Sequence, residues 1–100
     1  MSWDPGHLPS VAGRTFVVTG GNAGIGYFTA EQLASAGARV IVASRSAEKA
    51  RRAIASIGEQ VPGASVEFVP LDLGSLSSVA DAAAQLRASG PIDGLIDVRP

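Results

Sequence analysis

Thr19-Gly20-Gly21-Asn22-Ala23-Gly24-Ile25-Gly26 (TGGNAGIG) places four glycines within eight residues. Ahead of it stands Phe16-Val17-Val18, aromatic and β-branched, which reads as a short buried strand. Behind it Ile25, Phe28, Thr29, Leu33 and Ala36 fall near helical spacing, and Gly37 suits the position just past a helix end. The glycines therefore join a strand to a helix. Gly20 has no Cβ, so the strand is free to turn sharply. Gly24 leaves the main chain open to a phosphate group, and Gly26 lets the helix lie close to the strand. A helix mouth offers unpaired N–H groups and partial positive charge, a setting that favours a diphosphate. No Lys follows in the G-x-x-x-x-G-K-[ST] pattern, so a mononucleotide P-loop is not expected. Glycines alone would equally describe a loop of tight turns. Their place between a strand and a helix favours the anion-holding reading.

Outward from this turn the chain alternates. Arg39 to Ser44 (RVIVAS) is a second strand with a continuous apolar run, as expected where both faces are covered. Ser46 caps a second helix carrying Ala47, Ala50, Ile54 and Ile57 on one face, closed by Gly58. Pro62-Gly63 marks a turn, and Val66 to Val69 is a third strand. Ser75 caps a third helix with Leu76, Val79, Ala83 and Leu86 on its buried side, and Gly90-Pro91 stops it. Ile92 to Val98 opens a fourth strand. The order is β-α-β-α-β-α-β, which predicts an α/β three-layer sandwich around a parallel sheet joined by right-handed crossovers. Two crossovers on one side and a third on the other give the strand order 3-2-1-4. Residues 1–12, with Pro5-Gly6 and Pro9, read as an irregular arm, and residues 13–100 as one partial domain.

Composition narrows the function. The chain has 100 residues, is 46% hydrophobic and 17% charged, and carries a net charge of −1. That is too apolar for a disordered chain and too neutral to draw nucleic acid or an anionic membrane. The absence of cysteine excludes disulfides, thiolate metal sites and a cysteine nucleophile. His7 is the only histidine, so neither a His-based triad nor a His metal cluster is expected. Met1 to Ser10 lacks the basic and apolar regions of a secretory signal, and no apolar run approaches the roughly 20 residues of a membrane span. A cytoplasmic location follows by default. Arg51-Arg52 is a helix-surface pair and not a nucleic-acid patch.

Residues 19–26 match the T-G-x-x-x-G-[IL]-G motif of the short-chain dehydrogenases/reductases, and Asp72-Leu73 falls where that family places Asp-Val or Asp-Leu after the third strand. The chain resembles this family from about Gly13 to Ile96. Asn22 and the Ala43-Ser44-Arg45 ending of strand two look most like the branch of retinol dehydrogenases and protochlorophyllide reductases. The resemblance implies a Rossmann-type, NAD(P)-binding fold. It implies that Gly20, Asn22, Gly24, Ile25 and Gly26 line the cofactor. It also implies that Asp72 accepts a hydrogen bond from the adenine amino group, with the Leu73 backbone bordering the same pocket. Asp72 has a simpler alternative as a turn residue before Ser75.

The end of strand two bears on which cofactor. NAD-binding members of this fold place a carboxylate there to bond the ribose hydroxyls. Ala43-Ser44-Arg45 has none, and the planar fork of Arg45 suits a 2′-phosphate, with Ser44 adding a hydroxyl. NADP(H) is therefore expected over NAD(H), unless Arg45 is merely a solvated residue before a helix cap.

The family's hydride chemistry uses a Ser and a Tyr-x-x-x-Lys pair, whose Lys lowers the Tyr pKa. Here Tyr27 and Lys49 are the only Tyr and Lys, on different helices, and Tyr27 reads as a packing residue. No catalytic or metal-binding residue is assigned. Asp93-Gly94-Leu95-Ile96 matches the approach to the family's Asn-Asn-Ala-Gly segment, but Asp97-Val98-Arg99-Pro100 does not. The departure implies a truncated chain, through a shifted reading frame or editing. The leading expectation is the cofactor-binding half of an NADP-dependent oxidoreductase, inactive alone. A non-catalytic nucleotide-binding or regulatory module and a ligand-free interaction fragment are the alternatives. An uncovered fourth strand, with Leu95, Ile96 and Val98, would make the chain marginally stable or self-associating.

Overall fold

The computed structural model describes residues 11–19, 24–72 and 74–97. Seven elements follow in order: β1 (Thr15–Thr19), α1 (Gly24–Ser35), β2 (Arg39–Ser44), α2 (Ala47–Gln60), β3 (Ser65–Pro70), α3 (Leu76–Ala88) and β4 (Gly94–Asp97). The strands form one parallel sheet in the order β3-β2-β1-β4. Thr19 lies in register with Ala43 on one side and Asp97 on the other. This is the α/β Rossmann-like arrangement expected from the alternation of elements.

Side-chain alternation along the strands divides the core into two layers. Val18, Val40 and Val42, with Phe16, Val66, Phe68 and Ile96, pack against Ala30, Leu33 and Ala34 of α1 and Ala50 and Ile57 of α2. Val17, Ile41, Ala43 and Val69 face the other way, onto Ala82 and Leu86 of α3. Val11 is buried in the first layer, although it belongs to the segment read as an arm. Five of the largest fully buried side chains, Val17, Val18, Val40, Ile41 and Val42, belong to β1 and β2. Full burial of each contributes about 1.5–3 kcal/mol, so the central strand pair anchors the fold.

Helix ends follow the sequence closely, with one exception. Gly37, at φ +90°, closes α1: its N–H bonds the Ala34 carbonyl, and the Ala38 N–H bonds the Leu33 carbonyl. This is the Schellman pattern that favours glycine. Ser46 and Ser75 cap α2 and α3 through their hydroxyl oxygens, which accept the Lys49 and Ser78 N–H groups. Gly58 does not close α2, which continues to Gln60. The stop is Pro62, which has no N–H to extend the helix, followed by Gly63 at φ +83° in a turn closed from Ala64 N–H to the Val61 carbonyl.

Two helix faces also differ from expectation. α1 buries Gly26, Thr29, Ala30, Leu33 and Ala34, and Phe28 is 53% exposed. A stripe of small side chains lets the helix approach the sheet more closely than Phe28 would permit. On α3, Leu76 is 90% exposed and Val79 is also exposed, while Ala82 is buried. A single helix covers this side of the sheet, so only the residues directly above β1, β2 and β3 are enclosed.

Candidate functional site

Because all four strands are parallel, their carboxyl ends share one edge, where Thr19, Ser44, Pro70 and Asp97 are the terminal residues. The chain leaves β1 toward β2 and returns to its other side as β4. Open α/β sheets bind ligands in the crevice at such a reversal. Thr19 and Asp97 bound it here. The Thr19 hydroxyl donates to Asp97 Oδ1 at 2.6 Å, closing the gap between the two strand ends.

α1 starts above this edge. Gly24 and Ile25 form its first turn, and Gly26 is buried. No acidic residue lies in that turn, so no carboxylate of its own neutralises the positive end of the helix. Gly20 and Asn22, assigned to the same turn from the sequence, lie outside the described residues, as does Leu73.

β2 delivers the next group. Ser44 is buried; its Oγ accepts the Ser46 N–H at 3.2 Å and its carbonyl accepts the Leu71 N–H at 2.9 Å. The second bond draws the connection after β3 alongside the end of β2. Arg45 follows, exposed, just ahead of the α2 cap. Asp72 is half-buried and held at three points. Its N–H donates to Ser78 Oγ at 2.8 Å, its carbonyl accepts the Ser75 N–H at 3.0 Å, and its Oδ1 accepts the Gly74 N–H at 2.9 Å. The turn role is thus filled, and the carboxylate is fixed at the site edge. Ser78 had no distinguishing mark in the sequence, because its partner is set by how α3 meets β3.

From this edge an apolar groove of about 270 Å³ runs between α3 and the sheet, lined by Val17, Thr19, Ala43, Leu71, Leu86 and Asp97. The titration shift that stands out lies elsewhere. At the opposite end of β2, a hydrogen bond to Glu67 raises the Arg39 pKa, opposed by desolvation and aided by charge attraction. Arg39 is structural there, joining Glu67 to the Ser89 carbonyl at the end of α3.

Tyr27 and Lys49 are not brought together at the edge. The Tyr27 hydroxyl is engaged with Ser56 Oγ at 2.8 Å, and Lys49 is exposed on α2. Among the described residues no group of three or more His, Cys, Asp or Glu side chains is placed to hold a metal, and no helix is long and apolar enough to cross a membrane.

Comparison with known proteins agrees with this geometry. The family described as short chain dehydrogenase matches residues 14–98. The chain is 46% identical over 87 residues to a short chain dehydrogenase/reductase, dpchH, of Colletotrichum higginsianum, spanning 84% of this chain and 22% of that protein. It is 43% identical over 86 residues to human dehydrogenase/reductase SDR family member 13, spanning 86% of this chain and 23% of the relative. Among solved structures, the Pseudomonas aeruginosa RhlG/NADP active-site complex superposes with a TM-score of 0.78 at 33% identity, covering 89% of this chain and 35% of that one. The chain thus spans about a quarter of the length of the curated relatives it matches.

Proposed function

Since this chain belongs to the short-chain dehydrogenase family, we propose that it holds the adenosine and diphosphate portion of NADP(H) along the carboxyl edge of its sheet. The observation carrying this reading is the end of β2. Ser44 and Arg45 occupy the ribose-reading position with no carboxylate, and Arg45 is exposed to meet a 2′-phosphate. The acid-free first turn of α1 fits the diphosphate, and the braced Asp72 fits an adenine amino group. Gly20, Asn22, Gly24, Ile25 and Gly26 would line the diphosphate, and Leu73 would border the adenine. The NADP in a structurally similar relative supports the choice of cofactor. The sequence of the glycine turn, with Asn22, and of the β2 end, Ala43-Ser44-Arg45, supports kinship with the retinol dehydrogenase and protochlorophyllide reductase branch.

When bound, the nicotinamide of such a cofactor supplies or accepts hydride at a carbonyl or alcohol carbon. Residues 1–100 contribute binding to that reaction and no proton-transfer pair, because Tyr27 is spent on Ser56 and Lys49 stands on another helix. The proposed role is therefore the cofactor-binding part of an NADP-dependent oxidoreductase, without turnover of its own. The same observation also supports a non-catalytic nucleotide-binding or regulatory module. Carbonyl-dependent NADPH oxidation by the chain would refute both.

NADPH fluorescence titration tests the binding claim. Arg45→Asp is expected to weaken NADPH by about 10- to 100-fold, the range for losing a charge-assisted hydrogen bond, and to change NADH by less than about twofold. Equal losses for the two cofactors would remove the case for a 2′-phosphate reader.

A further inference from the structure

We infer that Tyr27 and Ser56 form a latch that sets the distance between the two halves of the cofactor site, making both positioning residues for the bound dinucleotide. This rests on the NADP(H) reading above. A dinucleotide touches this fold at two places that belong to different helices: the diphosphate at the mouth of α1, and the adenosine ribose where β2 passes into α2. Simultaneous grip requires the two helices to keep one relative position. The apolar layer beneath them holds both helices by contact that carries no direction of its own. α1 buries Thr29, Ala30, Leu33 and Ala34, mostly small side chains that allow close approach to the sheet but make a non-directional apolar contact.

Tyr27 supplies what those contacts lack. It sits in the opening turns of α1, one residue after Gly26, and its ring packs against the layer shared by α1 and α2. Its hydroxyl then reaches Ser56 Oγ on α2 at 2.8 Å. Among the described residues this is the one side-chain hydrogen bond joining the two helices. A bond of this length tolerates only a few tenths of an ångström before it weakens, whereas an apolar contact would slide. Ring packing holds the direction and the hydroxyl pair holds the register. The glycine mouth and the Ser44-Arg45 end are thereby kept at one spacing, so a ligand spanning both avoids the cost of aligning them.

Span-dependent ligands separate this role from simple packing. NADPH engages both places, whereas adenosine 2′-monophosphate engages only the ribose side. Tyr27→Phe and Ser56→Ala are each expected to weaken NADPH by about three- to tenfold, the range for one hydrogen bond, with adenosine 2′-monophosphate unchanged. Ser56→Thr, which keeps a hydroxyl, is expected to restore near wild-type NADPH binding. The Ser56 variants carry the test if Tyr27→Phe does not fold. Unaltered NADPH binding in both variants, or equal weakening of the two ligands, would overturn the latch while leaving NADP(H) binding intact. A wild-type chain that fails to bind NADPH would overturn both.

Discussion

Asp97 terminates β4 at the crevice where the proposed diphosphate lies, and it brings a carboxylate where the family pattern has Asn. Its Oδ1 accepts the Thr19 hydroxyl at 2.6 Å, so it braces the last residue before the glycine turn. The brace fixes the end of β1 at Thr19, and the negative charge opposes a bound diphosphate. Asn would keep an acceptor for Thr19 without that charge. Asp97→Asn is therefore expected to tighten NADPH by about three- to tenfold, the size of one like-charge interaction across a solvated gap. Titration at low and moderate salt would check it, since a charge effect shrinks as salt rises. Unchanged or weaker binding would show that the carboxylate acts only as a brace. The residue was visible in the sequence as a departure from a motif. Its partner was not, because the two are 78 positions apart and meet only through strand pairing.

Each element is fixed by different chemistry at its two ends. β1 is clamped at its start by Asp93, which accepts the Thr15 N–H through Oδ2 and donates its own N–H to the Thr15 carbonyl, both at 2.8 Å. α3 is held at its end by Arg39, whose charge also suits the negative pole of a helix. A raised pKa on a cation means the Arg39–Glu67 pair loses nothing from this side until pH climbs past the ordinary arginine range. Glycines within elements have opposite values. A Cβ on Gly94 would stand 2.7 Å from the Phe16 ring, its partner across β1 and β4, whereas a Cβ on Gly58 meets nothing within 4 Å on the exposed side of α2. Gly94→Val is expected to destabilise by about 1–3 kcal/mol through forced repacking. Gly58→Ala is expected to stabilise by about 0.5–1 kcal/mol through helix propensity. Urea unfolding would check both signs, and a destabilising Gly58→Ala would contradict the account of α2.

On the scale of the whole sheet, among the described residues, the layers are unequal, with two helices on one side and one on the other. The two sheet edges differ as well. β3 carries Glu67 and Pro70, both of which discourage a further strand, while β4 presents Gly94-Leu95-Ile96-Asp97 with Leu95 68% exposed. Leu76, Val79 and Leu95 together leave apolar surface around the groove beside α3. Concentration-dependent association is the expected consequence. Sedimentation velocity should show the average coefficient of the chain rising with concentration, and Val79→Lys with Leu95→Lys should abolish the rise. A wild-type chain that stays monomeric throughout would refute it.

The order of elements, the parallel sheet and the helix caps at Ser46, Ser75 and Gly37 were legible in the sequence, because each depends on residues a few positions apart. Periodicity, cap chemistry and glycine φ preference are local properties. Which stripe of α1 faces the sheet, why Phe28 stays outside, and where α2 stops were set by packing and by the competition between Gly58 and Pro62. The pairings Thr19–Asp97, Thr15–Asp93, Asp72–Ser78 and Tyr27–Ser56 were decided by tertiary structure alone. A hydrogen bond between elements requires two backbones to arrive at one distance, and no stretch of sequence specifies where another will lie.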